Sequence, residues 1–382
     1  MLKTTVQGLR ATLLRTLPAC EGRTTIPILS MARLTAEAGV LTVSTTNLDN
    51  QLEVDSLVEV SRETQIAINP RQALGLLRFL PRTDAIEIAT EAEAVFLCWA
   101  GGKARISSLT ACDFPDLAVS GDPVAGRIGE ADYAALRRIS PFISSEETRY
   151  YLNGVCLDVI DGQAVAVATD GHHLGAMPLS DELAPVLKLI RKPIIPRDAV
   201  RILLGQNAGA ADFTFYRANK SSPIFEVRGD AMRLRSKLID GDYPNWQRIL
   251  PKDVKISIEV ARTDLLCACN IARAFAPHRN NDVCLVAEKG RMQLQAKHYD
   301  AELAIDLGSQ PANVYWELPI NVGYLTAAIS AVRGASVILS AEHDKGAVAV
   351  AGSDQAPGEH VMAMPLRYGG RTSFSAPMQE AA

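Results

Sequence analysis

The sequence has no apolar run long enough to cross a membrane as a helix. The longest charge-free stretch in its C-terminal half, 318–332, is interrupted by Asn321 and falls short of the ~20 apolar residues that a spanning helix needs. The N-terminal segment carries Arg10 and Arg15 where a secretory signal would have its apolar core. We therefore expect a cytoplasmic protein with no membrane partner.

Several signatures of chemistry are also missing. The seven cysteines form no Cys-x-x-Cys pair, and their odd number argues against a disulfide framework and for a reducing compartment. There is no phosphate-binding loop, no His-x-His or His-Glu-x-x-His zinc pattern, and no nucleophile elbow. These absences predict no metal, no cofactor and no catalytic residue, so that any ATP-driven step must come from another protein.

An enzyme is the main competing hypothesis. Asp170 and His172 stand two residues apart in Thr-Asp-Gly-His-His, a spacing found in metal hydrolases. Conceivable further ligands are His278, His298 and Asp300. Adjacent histidines in an extended segment point to opposite sides, which disfavours a shared metal. The acidic segment 239–242 lacks the further alternating ligands of a calcium loop and is predicted to be a turn.

Neither sign of charge dominates the chain. The 39 basic and 43 acidic residues give a formal net charge of −4, which excludes a uniformly basic nucleic-acid coat but allows a segregated basic surface. Arginine outnumbers lysine 28 to 11, and guanidinium groups bind phosphate oxygens in a planar fork. The positions of the arginines therefore matter more than the net charge.

Three kinds of segment recur in the same order in each third of the 382 residues. Amphipathic helices are predicted at 6–17, 130–140 and 262–275, second helices opened by Pro or Asn at 67–80, 194–206 and 319–332, and alternating strands at 41–44, 165–168 and 292–296. The repetition predicts an α+β fold of three similar domains, each with two helices packed on antiparallel sheets. The predicted domains are 1–122, 123–252 and 253–368, followed by a disordered tail, 369–382.

Each of the six helical segments is expected to hold at least one arginine. These are Arg10, Arg15, Arg71, Arg78, Arg137, Arg138, Arg197, Arg201, Arg262, Arg273 and Arg333. A single helix of this kind is as well explained by a solvated face, but repetition across six favours one shared basic surface. Domains of this size are ~35 Å across, so that a ring of six would leave a hole of roughly 35 Å, wide enough for duplex DNA. We therefore expect a head-to-tail dimer around DNA, held without base readout.

Longer stretches carry a family resemblance over nearly the whole chain. They are 22–29 (GRTTIPIL), 113–117 (DFPDL), 147–155 (ETRYYLNGV), 167–174 (VATDGHHL), 237–252 (KLIDGDYPNWQRILPK) and 361–367 (VMAMPLR). By these stretches the chain resembles the bacterial DNA polymerase III beta subunit, or beta sliding clamp, family. The resemblance implies a closed head-to-tail dimeric ring of six similar domains, with helices inside and sheets outside.

The resemblance also implies which residues face DNA and which join the two chains. Arg23, Arg71 and Arg197 match positions that face DNA in the family, and the loop before Tyr150 reaches the duplex there; Arg10 and Arg137 follow from the helix pattern. That loop carries Glu146 and Glu147, which would repel phosphate. Candidates for the dimer interface are Phe275, Ala104 and Ile106.

A peptide-binding pocket is implied between the second and third domains. Its matching residues are Leu152, Thr169, Gly171, His172, His173, Leu174, Pro244, Arg248, Ile249, Met362, Met364, Pro365, Leu366 and Arg367. Their side chains suit an apolar groove, to which methionine adds adaptability. His173 stands where the family usually has arginine, which predicts a shorter, pH-sensitive rim contact. The tail beyond Arg367 is expected to shade the groove.

The implied function is that of a non-catalytic processivity factor. Its partners would be duplex DNA, a second copy of the chain, the polymerase III catalytic subunit, a clamp loader and other proteins that carry short clamp-binding peptides. Three alternatives stay open at this point: a diverged clamp-like paralogue with altered partners, a monomeric binding module, and a metal-dependent hydrolase.

Overall fold

The computed structural model describes residues 2–91, 94–206, 209–217, 223–275, 282–298, 301–311 and 314–366. They group into two compact units. Unit 1 comprises Met1–Tyr133 and Ser180–Asp240, and unit 2 comprises Ala134–Leu179 and Gly241–Ala382. The division into three domains remains a prediction, and the proposed tail lies outside the described residues.

All six predicted helices are present. The helices in the described part of the chain are α1 (Val6–Thr16), α2 (Pro70–Leu77), α3 (Glu130–Ile139), α4 (Leu183–Leu189), α5 (Arg197–Gly205), α6 (Arg262–Phe275) and α7 (Val322–Ala331). Their starts follow from the sequence: the Asn69 and Asn321 side chains accept hydrogen bonds from the free N–H groups of the first turns of α2 and α7. The sequence pattern did not predict α4. No described helix has both the length and the apolar character needed to cross a membrane.

The strands are short and antiparallel to their neighbours. In the N-terminal part they are β1 (Leu2–Thr5), β2 (Ala32–Glu37), β3 (Val40–Thr46), β4 (Asn50–Leu57), β5 (Glu59–Val60), β6 (Thr64–Ile68), β7 (Ala85–Glu91), β8 (Ala94–Trp99), β9 (Gly102–Ile106), β10 (Ser108–Leu109) and β11 (Asp122–Ile128). They continue as β12 (Gly154–Ile160), β13 (Gln163–Thr169), β14 (His173–Pro178), β15 (Ile194–Pro196), β16 (Ala211–Arg217), β17 (Ile224–Gly229) and β18 (Met232–Lys237). The last are β19 (Ile256–Ala261), β20 (Asp282–Glu288), β21 (Arg291–His298), β22 (Ala301–Ser309), β23 (Trp316–Asn321), β24 (Ser336–Ala341), β25 (Val348–Gly352) and β26 (His360–Ala363).

Unit 1 contains two sheets. One has the order β5-β1-β7-β8-β9, and the other runs β10-β6-β2-β3-β4-β18-β17-β16-β11. The second sheet is continuous because β4 pairs with β18, with Leu52 opposite Leu234. The apolar side of α1, with Val6, Leu9 and Leu13, is fully buried in a hydrophobic core of this unit.

Unit 2 repeats this arrangement. Strands β12-β13-β14-β26-β25-β24-β19 form one run, and β22-β21-β20-β23 form a second sheet. Here β14 pairs with β26, with Leu174 opposite Met362. The α+β class is therefore confirmed, and the β14–β26 pair brings together two stretches of the predicted pocket that lie far apart in the sequence.

Candidate functional site

The segment between β13 and β14 forms a tight turn held by its own side chains. The Thr169 hydroxyl donates to the carbonyl of His173 (2.6 Å) and accepts from the N–H of Gly171 (3.1 Å). The Asp170 Oδ1 atom accepts from the N–H groups of His172 (2.8 Å) and His173 (2.9 Å). Gly171 has φ +89°, a conformation that side-chain-bearing residues rarely adopt. Thr-Asp-Gly thus specifies the turn that presents His172.

His173 lies in the interior, so the predicted rim contact is wrong. Its side chain is only 5% exposed, and its Nδ1 atom is 2.7 Å from Asp170 Oδ1. Its ring packs between Phe142 and Tyr324, each with a centroid 4.6 Å away. Burial raises the pKa of Asp170, but the hydrogen bond and charge of His173 and the two backbone N–H groups outweigh it and lower this pKa to about 2. The short aromatic side chain of His173 fills this interior position.

The turn is joined to the C-terminal strand. The N–H of Met364 donates to the carbonyl of His172 (2.8 Å), and the N–H of Leu366 donates to the carbonyl of Pro319 (2.8 Å). The exposed His172 ring stacks on Tyr324 at 5.7 Å and 18°. The contact with Tyr324 was not predicted, because Tyr324 lies about 150 residues along the chain from the turn and local sequence gives no signal of it.

The predicted pocket residues divide by exposure. Leu152, Thr169, His173, Leu174 and Met362 are buried, Met364, Pro365 and Leu366 are half-buried, and Gly171, His172, Pro244, Arg248 and Ile249 are exposed. The buried Trp246 ring lies 6.1 Å from the ring of His360, so the 3-10 helix Trp246–Ile249 sits against the start of β26. All of these residues belong to unit 2. Arg367 lies outside the described residues.

In the loop beside the turn, Arg149 neutralises Glu146, whereas Glu147 is exposed. The Glu146 carboxylate accepts from Arg149 Nε (2.7 Å) and from the Thr148 hydroxyl (2.8 Å). The bond from Arg149 is the main cause of the lowered pKa of Glu146. A Cβ atom at Gly171 would lie 2.5 Å from Arg149 Nη1, so the guanidinium covers the turn. The expected repulsion of phosphate by Glu146 is therefore offset within the loop.

The arginines on the helices form two groups. Arg137, Arg197 and Arg201 are exposed, although Arg201 pairs with Asp198 (3.4 Å), and Arg10 is half-buried. Arg23 is also exposed, but it lies in the loop between α1 and β2. Other arginines bond to the protein itself: Arg15 Nε donates to Gln206 Oε1 (3.2 Å), and Arg71 donates to the carbonyls of Glu21 (2.8 Å) and Cys20 (3.1 Å). Arg71 thereby supports the loop that carries Arg23.

The C-terminal helix departs from the expected pattern. Helix α7 ends at Ala331 and contains no arginine, and Arg333 lies beyond it, paired with Glu359. Arg262 at the start of α6 donates through Nε to the carbonyl of Ile329 (3.1 Å). The expectation of a basic side chain on every one of the six helices is therefore wrong for α7.

The dimer candidates lie at or near sheet edges. Among the described residues, β9 forms one edge of its sheet in unit 1 and β22 forms one edge of its sheet in unit 2. Ala104 on β9 is half-buried, and so is Phe275 at the end of α6. The Ile106 side chain is 3% exposed and belongs to the core, which leaves only its backbone for pairing.

The described residues give no support to the alternative metal site. Within the described ranges, no three His, Cys, Asp or Glu side chains are grouped so as to hold a metal ion. His278 and Asp300, and the side chain of His298, lie outside those ranges. Asp170 and His172 are joined through the backbone N–H of His172, which defines a turn.

Two family models cover most of the N-terminal and central sequence. The N-terminal domain of the DNA polymerase III beta subunit matches residues 7–118, and its central domain matches residues 133–245. The chain belongs to the DNA polymerase III beta subunit family. It is 29% identical over 353 residues to the beta sliding clamp of Caulobacter vibrioides strain NA1000 / CB15N, covering 87% of this chain and 91% of that protein. With the beta sliding clamp of Escherichia coli strain K12 the identity is 25%, covering 91% and 94%.

Solved clamp structures have the same fold. The Bartonella birtlesii sliding clamp bound to griselimycin superposes with a TM-score of 0.87 at 22% identity, covering 96% of this chain and 99% of the other. The Caulobacter crescentus beta subunit superposes with a TM-score of 0.82 at 24% identity, covering 96% and 100%. The clamp fold is thus retained in a sequence that differs at most positions.

Proposed function

We propose that this chain is a processivity clamp that holds partner proteins on duplex DNA through a groove at the His172 turn, beside the segment 364–366 that follows β26. The observation that carries the proposal is the hydrogen bond of Met364 to the His172 turn, followed by that of Leu366 to Pro319, which fixes two half-buried apolar residues in this segment. An apolar strip beside exposed polar groups suits a short peptide, since burial of side chains supplies affinity and a few hydrogen bonds supply direction. The Bartonella birtlesii clamp holds griselimycin, and we extend binding of this compound to the groove of this chain.

Two copies of the chain would close around DNA. The edge strand β9, with Ala104, would pair with the third-domain edge of a second copy near Phe275. Arg10, Arg23, Arg137 and Arg197 would then attract the phosphates without reading bases, with Arg71 supporting the loop of Arg23 and Tyr150 reaching toward the duplex. Such a ring needs no catalytic residue, works in the cytoplasm, and relies on a separate loader for ATP-driven opening.

Retention on DNA of different topology tests this proposal. The protein, loaded by a clamp loader onto a nicked circular duplex, should stay bound through gel filtration and should be lost after the circle is cut once. Native mass measurement of the same sample should give two chains per particle. Equal loss from circular and linear DNA, or a single chain per particle, would contradict an encircling dimer.

A clamp with an altered set of partners is the second candidate. The observation that favours it is the burial of His173 at the position where the family resemblance implies an arginine, so that this side chain is not available at the rim of the groove. Polymerase and loader subunits from the same cell should be compared for binding to the chain. A clamp for general replication binds both, whereas a specialised one binds a subset.

A further inference from the structure

A buried carboxylate in unit 2 joins three elements. The side chain of Glu359 is 3% exposed, and both of its oxygens accept from Arg138 (Nη1–Oε1 2.5 Å, Nη2–Oε2 2.8 Å). Arg333 donates to Oε1 as well, at 2.6 Å. Arg138 uses its remaining Nε–H to reach the carbonyl of Ala331, at 2.6 Å. Helix α3, the end of α7 and the residue that precedes β26 are thus bound at one point.

The two arginines outweigh the cost of burial. Desolvation raises the pKa of Glu359, but hydrogen bonds and charge from Arg138, then from Arg333, lower it below its usual range. The paired carboxylate is therefore ionised at neutral pH. A guanidinium group that binds a carboxylate through two hydrogen bonds fixes the orientation of the carboxylate as well as its distance, since the two planar groups must align.

The position of Glu359 gives this ion pair a consequence for the groove. Strand β26 is only four residues long and begins immediately after Glu359. It pairs with β14 from Ala176 opposite His360 to His173 opposite Ala363, and the chain continues to Met364. A slip of one residue in a strand exchanges its two faces, which here would turn Met362 away from its buried position.

We propose that Glu359 is a positioning residue for the groove: pinned by Arg138 and Arg333, it sets the register in which β26 delivers Met362, Met364 and Leu366. The Arg138–Glu359–Arg333 cluster fixes one end of the strand, and the bond from Met364 to His172 fixes the other. This inference rests on the proposed function in one respect, namely that the groove so formed binds partners.

Unit 1 holds a matched control with the same chemistry. Glu226 is also 3% exposed and pairs with Arg235 (2.7 Å) and Arg228 (2.9 Å). These three residues lie on the neighbouring strands β17 and β18 of one sheet. Loss of this carboxylate therefore weakens a sheet without touching β26.

The test compares Glu359→Gln with Glu226→Gln, using griselimycin as the probe. An amide keeps the size of the side chain but places an N–H₂ group against guanidinium donors. We expect Glu359→Gln to weaken griselimycin binding at least tenfold by calorimetry, and Glu226→Gln to change it less than twofold, with both variants unfolding at lower temperature than the natural chain. The amide of Met364 should exchange hydrogen faster in Glu359→Gln only.

The outcomes separate the inference from the proposed function. Unchanged affinity and unchanged exchange at Met364 in Glu359→Gln, or equal losses in both variants, would overturn the positioning role. If the natural chain fails to bind griselimycin, the proposed binding by the groove is contradicted, while hydrogen exchange at Met364 still decides the inference. Should Glu359→Gln not fold, Arg333→Ala leaves the Arg138 pair intact and should weaken binding two- to fivefold.

Discussion

The exposed arginines and the groove are proposed to bind their partners in opposite ways. Arg23, Arg137 and Arg197 are exposed cations whose attraction to phosphate acts over several ångströms, is screened by salt and is shared among many groups. The groove depends on bonds such as Met364 to His172, for which a shift of 1 Å matters. Single substitutions should therefore have large effects at the groove and small effects at the exposed arginines.

The strongest test of this contrast is to place charge in the groove. Met364→Asp combined with Leu366→Asp should reduce binding of griselimycin and of polymerase peptides by at least a hundredfold, because a carboxylate would have to be desolvated against apolar ligand groups at a cost of several kcal/mol. Polymerase stimulation on primed circular DNA measures the loss. The paired control, Leu57→Asp with Leu189→Asp, changes exposed leucines of unit 1 and should leave stimulation intact.

The second largest effect is expected at low pH, where protonation of Asp170 should destabilise the turn between β13 and β14. Because the pKa of Asp170 is lowered from 3.8 to about 2, its contribution to stability is fully present above about pH 4 and is lost as the pH falls toward 2. That contribution is about 2 kcal/mol, which Asp170→Asn should remove at neutral pH. Urea unfolding between pH 7 and pH 2 checks it, with the exposed Asp181→Asn as the control. A variant that matches the natural chain at pH 7 would show that Asp170 does not hold the turn.

A smaller effect is expected from the glycine of the turn. Gly171→Ala places a Cβ atom at φ +89° and 2.5 Å from Arg149 Nη1, so the guanidinium must move. The strained backbone should cost about 1 kcal/mol of stability. Thermal unfolding measures this, and Gly205→Ala is the matched control because a Cβ there meets no atom within 4 Å. Equal stability of the two variants would contradict the role assigned to this turn.

The comparison also separates what the sequence could predict from what it could not. The six helices follow from 3.6-residue periodicity and from caps such as Asn69 and Asn321, which are local signals. Local sequence does not predict which arginines are exposed and which bond to the protein, because the acceptors of Arg71 and Arg138 lie 50 and 221 positions away along the chain. The family resemblance identified the turn at His173, because the turn is a local sequence pattern. The burial of the His173 ring could not be predicted in this way, because it depends on packing against Phe142 and Tyr324, which lie elsewhere in the sequence.

The smallest effects should come from the exposed arginines taken singly. Arg137→Ala or Arg197→Ala should weaken binding to a short linear duplex by about two- to threefold and reduce the slope of log affinity against log salt by about 1 for each phosphate that is no longer neutralised. The combined Arg10, Arg23, Arg137 and Arg197 variant should then reduce that slope by up to about four times as much. Arg233→Ala, which breaks a pair with Glu53 on the nine-stranded sheet, is the control and should leave the slope unchanged. A single arginine that removed all binding would mean that the surface acts through one specific bond, and the contrast with the groove would no longer hold.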